Sequence, residues 1–237
     1  RRLNLKGNTE IDGNKNNYTG ERLIALNKIG EILDKGGTIN IDVDKLGLFT
    51  NYKILDLSSQ NLNTLESLEG LTQLTVLNLN ANKLTLEDEK SQEILKSMRN
   101  LENLNLSNNQ ITNIKAINNL SNLKLLYLSG ENNNVNLTEI EDIISNLDVL
   151  TVSTESLKTI VNCDVNKITR LRLTSSTSLT EIPNLSKFEK LTDLSLSNDN
   201  NINDLSTISN IKGLEVLNLY NTNLHGRMID FSKLANL

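Results

Sequence analysis

Few side chains in this sequence could carry covalent or metal chemistry, and none has the companions such chemistry needs. His225 is the only histidine and Cys163 the only cysteine. A transition-metal site needs several His, thiolate or carboxylate ligands converging on one point, and a nucleophilic Ser or Cys needs an adjacent base. His225 sits in His225-Gly226-Arg227, which reads as a surface loop. Cys163 cannot form an internal disulfide and reads as a small buried apolar residue. Glu87 and Glu89 pair two carboxylates, but acids placed ahead of bases mark the solvated start of a helix. Asp12-Gly13-Asn14-Lys15-Asn16 opens like a calcium loop. Its sixth position, however, is Asn17 where Gly makes the turn, and its twelfth is Leu23 where a bidentate Glu supplies charge. It reads as a plain Asn-rich loop. The expectation is a protein that is not an enzyme, with no catalytic residue, no metal site and no cofactor.

What remains is noncovalent recognition, for which Tyr, Trp and Arg are the favoured anchors. Whether the few such residues meet on one surface depends on the elements that carry them. The governing pattern is a spacing, L-x-x-L-x-L-x-x-N-x-L, cleanest at Leu101, Leu104, Leu106, Asn109 and Ile111. It recurs at Leu74, Leu77, Leu79, Asn82 and Leu84, with weaker copies starting at Tyr52, Leu123, Leu147, Ile168, Leu191 and Leu214. Starts fall every 21 to 27 residues or so, the spacing of stacked structural repeats.

One unit, 101–122, shows how the pattern becomes structure. Leu104 and Leu106 alternate with Asn103, Asn105 and Ser107, which predicts a short strand with leucines inward. Asn109 ends it, its carboxamide placed to bond turn backbone that would otherwise be buried unsatisfied. Ile111, Ile114, Ile117 and Leu120 follow at intervals of three, which predicts a 3₁₀-like return segment. Leu65, Leu68 and Leu71 repeat that interval earlier, and Leu205, Ile208 and Ile211 repeat it later. No unit buries its own core, so units must stack, with parallel strands lining one face and return segments the other. The chain is 37% hydrophobic but only 3% aromatic, so Leu and Ile build that core.

Departures from the pattern place helices. Residues 87–98 predict an α-helix with Ile94, Leu95 and Met98 on its apolar face. Thr138-Glu139-Ile140-Glu141 reads as a capping box ahead of a short helix. Residues 21–35 carry the longest helical pattern, stopped by Gly36-Gly37, and 38–43 alternate as a strand. The units from Ile168 and Leu191 carry one extra turn residue, which puts Leu179 and Ile202 in the final apolar slot. The chain is read as one domain, 1–237, with irregular units over 1–51 and regular repeats over 52–237. It opens without Met on what reads as a strand and stops where a unit should start, so it is expected to be a segment of a longer protein. Several N-x-S/T sequons occur, but the sequence is rich in Asn and the one at Asn105 falls within a strand, so they are read as chance.

The unit Leu101-Glu-Asn-Leu-Asn-Leu-Ser-Asn-Asn-Gln-Ile resembles the leucine-rich repeat family. Within that family it is most similar to the class shared by bacterial internalins and eukaryotic phosphatase-regulator repeats. The resemblance implies an α/β fold: a curved right-handed solenoid with a parallel β-sheet on the concave face and 3₁₀ or short helices on the convex face. It also implies a non-enzymatic protein that binds other proteins on the concave face.

The repeat register orders the residues of that face into columns. One column runs Asp56, Asn78, Asn105, Tyr127, Thr151, Arg172, Ser195 and Asn218. The column before it includes Leu125, Val149, Arg170 and Asp193, and the column after it ends on Tyr220. Most of these residues are small and polar. Leu125, Tyr127, Val149, Arg170, Arg172 and Tyr220 stand out as the candidate partner-binding residues. The alternatives are a bland wall with chance exceptions, or contacts made through the convex helices.

Net charge is −5 with signs interspersed, so there is no basic stripe for nucleic acid. No apolar run approaches the roughly 18 residues of a membrane span, so this segment is not expected to insert. The expected partner is another protein, and the segment is expected to be a monomer. Scarce cysteine and abundant Asn favour an extracellular or bacterial cell-surface location, as in an internalin-like adhesin. The alternatives are a cytoplasmic repeat scaffold and the substrate-recognition part of a larger enzyme.

Overall fold

The computed structural model describes residues 53–160, 163–174, 182, 184–197, 204–222, 231–232 and 234–237. Those residues form an open parallel sheet of eight strands whose spatial order is their sequence order. The strands are β1 Ile54–Asp56, β2 Val76–Asn78, β3 Asn103–Asn105, β4 Leu125–Tyr127, β5 Val149–Ser153, β6 Arg170–Thr174, β7 Asp193–Ser195 and β8 Val216–Asn218. Each pairs with the next in the register that the repeat spacing predicts, for example Leu77↔Leu104↔Leu126↔Leu150. This is the leucine-rich repeat solenoid. The expectations for 1–51, the Asp12 loop, His225, Leu179 and Ile202 lie outside the described residues.

Five positions of the repeat explain most of the fold. The fourth and sixth, Leu104 and Leu106 in the third coil, point into the stack and are fully buried, as are Leu77, Leu79, Leu126 and Leu128. Burying such a leucine stabilises by roughly 1.5–3 kcal/mol. The first position, Leu101 or Leu123, seals the coil from the strand's other end.

The eighth position turns the chain out of the sheet through the left-handed region. Ser59, Ala81, Asn108 and Asn221 have φ between 54° and 58°. In the fourth coil that position is Gly130, at φ 125°. Ala81 bears the steric cost of a positive φ there, at 58°. Ala81→Gly is therefore expected to raise stability by about 0.5–1 kcal/mol in urea titration, although Gly lowers stability at most other sites.

The ninth position stitches the coils together. The carboxamide of Asn109 donates to the carbonyls of Leu106 and Ser107 in its own coil and of Leu79 in the preceding one. Its Oδ1 accepts the Leu84 N–H, also from the preceding coil. Asn82 does the same one coil earlier, its Oδ1 accepting the N–H groups of Gln60 and Leu62. In the fourth coil the residue at that spacing is Glu131, yet Asn133 occupies the slot, donating to Leu106, Leu128 and Ser129 and accepting from Ile111. Two extra turn residues after Gly130 make this possible, a shift that the spacing alone did not reveal. In the fifth coil Ser153 and Ser156 pair instead, at 3.0 Å, at the start of a short helix.

The return segments follow the three-residue apolar interval, as 3₁₀ turns at Glu66–Leu68, Lys115–Asn119 and Ser206–Asn210. The longer second coil carries α1, Glu89–Ser97, with Ile94 and Leu95 buried. The side chain of its N-cap, Asp88, accepts the Ser91 N–H at 2.7 Å. Ser91 is itself fully buried, and its Oγ accepts the Leu65 N–H of the preceding coil, so the helix is tied to its neighbour by more than packing.

The capping box expected at Thr138 is not formed. Asn136 caps a 3₁₀ turn at Leu137–Ile140 by accepting from the Thr138 N–H and Oγ1, and α2, Glu141–Ile144, then follows without a side-chain cap. The Thr138 hydroxyl is itself taken up as a donor to Asn136 at 2.8 Å. The third helix, α3, is Thr154–Leu157.

Cys163 lies in the core at 5% exposure, and burial pushes its thiol up from its ordinary range. Its folded-state pKa exceeds the unfolded one, so native protein is expected to react with a thiol reagent at pH 8 roughly 100-fold more slowly than unfolded protein. Timed labelling in buffer and in denaturant measures the ratio.

Candidate functional site

In the outward column of the sheet, at the fifth repeat position, seven of the eight strands are of two kinds, and the remaining one, β7, holds Ser195, whose hydroxyl lies 3.2 Å from that of Ser197. On β1, β2, β3 and β8 the residue is Asp56, Asn78, Asn105 or Asn218. Each side-chain Oδ1 accepts the N–H two residues on, at 3.0, 3.1, 3.0 and 2.9 Å. These groups satisfy their own turns and leave less for a partner to bind. On β4, β5 and β6 the same position holds Tyr127 and Arg172, which carry no acceptor placed for that turn, and Thr151, whose hydroxyl makes no such bond among the described residues. On β5 and β6 the sheet ladder itself runs on instead, through Val152↔Leu173 and Ser153↔Thr174.

Tyr127, Thr151 and Arg172 are thus neighbours across three strands, aligned by Tyr127↔Thr151 and Thr151↔Arg172. At parallel-strand spacing the row covers roughly 10 Å. Among the described residues, the Tyr127 hydroxyl and the Arg172 guanidinium have no hydrogen-bond or ion-pair partner. Thr151 lies between these two long side chains and is only 4% exposed. Two positions earlier in the repeat, Leu125 pairs with Val149 and Val149 with Arg170, so an apolar pair adjoins the polar row.

Arg170 differs from Arg172. Its Nε lies 3.8 Å from Asp193 Oδ1 on the next strand, and both side chains reach solvent. Asp193 is steadied by the Thr192 hydroxyl, which donates to its other oxygen at 2.7 Å. The two arginines share one strand face, but one has a carboxylate beside it and the other does not.

These residues line a half-open cavity of about 390 Å³ on the sheet face, which runs from β4 to β8. Leu125, Tyr127, Val149, Arg170 and Arg172 all contribute to it. Tyr220 does not. It follows β8 and is 74% exposed, outside the cavity lining. Thr151, Asp193 and Val216 line the cavity and do not stand out in the sequence. Their columns can be read from the repeat register, but small or charged residues on a polar wall draw no notice until the neighbouring strands enclose a volume. Val216, 51% exposed, supplies an apolar surface at the far end.

No helix among the described residues is long and apolar enough to cross a membrane. The described residues hold no cluster of His, Cys, Asp and Glu suited to a metal ion.

No protein-family model matches the sequence, and no curated protein matches it. Solved structures do resemble it. An internalin, InlF, from Listeria monocytogenes is similar over 84% of this chain at 23% identity and a TM-score of 0.58. The chain spans 58% of that protein's length. Internalin C2 of the same organism is similar over 83% of the chain and 79% of its own length, at 24% identity and a TM-score of 0.53. A plant peptide hormone receptor, RGFR1, solved in complex with RGF2, is similar over 81% of the chain and 32% of its own length, at 27% identity and a TM-score of 0.52.

Proposed function

We propose that this leucine-rich repeat chain is a non-enzymatic protein-binding module that engages its partner on the sheet face, around Leu125, Tyr127, Val149, Arg170 and Arg172. The observation that carries this reading is the change in the fifth-position column. Its polar side chains bond their own turns on β1–β3 and β8, and leave the Tyr127 hydroxyl and the Arg172 guanidinium open on β4 and β6. Open groups beside an apolar pair, in a shallow cavity, are what a protein partner can use. The likeness to a plant peptide hormone receptor solved in complex with RGF2 supports binding as the role of the chain. Tyr220 belongs to this proposal as an outlying contact past β8. The module acts as a monomer.

The finer reading is a bacterial cell-surface or secreted protein, an internalin-like adhesin with a part in virulence. The likeness to two internalins supports it. The alternatives are a cytoplasmic scaffold of the phosphatase-regulator kind and the recognition part of a larger enzyme.

Protease shaving of intact source cells tests the location. Release of this segment's peptides before lysis is the expected result, and release only after lysis would favour the cytoplasmic scaffold. A screen of purified extracellular domains against immobilised chain tests the function. Binding is expected that weakens when Tyr127 is replaced by Ala, and binders indifferent to every sheet-face substitution would place recognition on the convex side.

A further inference from the structure

We propose that the cavity is a receptor for an acidic, extended segment of a protein partner, with one Asp or Glu carboxylate seated on Arg172 and an adjacent aliphatic side chain on Leu125 and Val149. The proposal rests on the sheet-face reading above and assigns chemistry within it.

The charges in the cavity point one way. Arg170, Arg172 and Asp193 are the charged groups among its described lining residues, two cations against one carboxylate. This excess sits on a chain whose net charge is −5. A local reversal of sign selects partners that carry the opposite charge.

The two cations are not equivalent. Asp193 stands 3.8 Å from Arg170 and already meets part of its demand. Arg172 has no acid beside it among the described residues, so its fork is free to receive two carboxylate oxygens. The Tyr127 hydroxyl, two strands away in the same row, is a second donor.

The row also sets a direction. Tyr127, Thr151 and Arg172 run across the strands, and Leu125 and Val149 run parallel to them in the neighbouring column. An occupant satisfying both rows lies across the strands, its alternate side chains falling on the polar and the apolar row. The roughly 10 Å covered by three strands matches three residues of extended chain.

Asp193 then acts as a filter. It neutralises Arg170, which removes a second strong anion site and repels acids placed one strand too far. Asp193→Asn is expected to tighten binding of acidic peptides by about 3–10-fold, because a like charge near the incoming carboxylate is removed.

The probe is a displayed library of random twelve-residue peptides, selected on the whole chain. Enriched peptides should carry Asp or Glu next to Leu, Ile or Val, and should lose affinity about 10–100-fold on Arg172→Ala while Tyr127→Ala weakens them independently. Reselection on Arg172→Glu should exchange the acidic residue for Lys or Arg. All three variants alter exposed or half-exposed side chains, and an unchanged thermal midpoint confirms that they fold. Peptides that need Tyr127 but show no acidic preference would overturn this proposal and leave the sheet-face site standing. Selected peptides, or an empty selection, that owe nothing to any residue of the cavity would overturn both.

Discussion

Asn109→Leu is expected to lower the unfolding free energy by about 3 kcal/mol, although it replaces a polar residue by an apolar one of similar size in a leucine core. The side chain is 2% exposed. Without it, the Leu84 N–H loses its acceptor and stays buried without a replacement. The carbonyls of Leu79 and Leu106 keep the Asn82 and Asn133 carboxamides, so they are weakened rather than orphaned. One orphaned N–H at about 1–3 kcal/mol, together with the lost bonds to three carbonyls, gives the figure. Asn109→Asp should rescue nothing at neutral pH, because a carboxylate can accept from Leu84 but faces three carbonyl oxygens to which it cannot donate. Asn103→Leu is the control. That residue lies on the outward face of β3, and its replacement should change stability by less than about 0.5 kcal/mol. Urea titration of the three variants separates an asparagine that joins coils from one that is merely on the wall.

Gly130→Ala is expected to cost about 2–3 kcal/mol, several times the ordinary cost of a surface substitution. Two causes act together. At φ 125° the residue occupies a conformation that L side chains rarely adopt. A Cβ there would also lie 2.8 Å from the Asn108 N and 2.9 Å from its Cα, both backbone atoms of the coil below. Neither can swing aside as a side chain could, so the turn that delivers Asn133 to its slot must shift. Gly213→Ala is the contrast. A Cβ there meets the Leu191 carbonyl oxygen at 3.4 Å, an ordinary contact, and the change should stay within about 0.5 kcal/mol. Thermal unfolding of the pair reads the difference.

The solenoid was legible because its determinants are local and periodic. Leucines two apart along a strand, and Ile111, Ile114 and Ile117 three apart in the return, each state a face and a period, and stacking follows from the absence of any other way to bury them. Where determinants act across coils, sequence spacing was silent. Asn133 takes a slot that counting assigns to Glu131, because Gly130 opens a turn in which two extra residues fit. Asn136, not Thr138, caps the turn that precedes α2, because capping depends on which side chain reaches the free N–H groups.

The candidate face was legible as columns but not as a volume. Leu125, Tyr127, Val149, Arg170 and Arg172 could be placed on adjacent strands by register. The register already sets Asp193 opposite Arg170, but that Tyr220 falls outside the cavity, and that Asp193 lies 3.8 Å from Arg170 while Arg172 has no acid beside it among the described residues, are consequences of side-chain placement that a register cannot express. The strongest signal at the site, the self-satisfied Asp and Asn residues giving way to Tyr, Thr and Arg at the fifth position, was present in the sequence. It becomes readable once the hydrogen bonds to Ser58, Asn80 and Ser107 are known.

The claim that the sheet face binds a protein is tested most directly by titrating the wild-type chain and the Tyr127→Ala, Arg172→Glu double variant with a partner recovered from the extracellular-domain screen. The expected result is a dissociation constant raised at least about 100-fold with an unchanged thermal midpoint, the loss typical of two anchor residues. Equal affinity of the two proteins would contradict it.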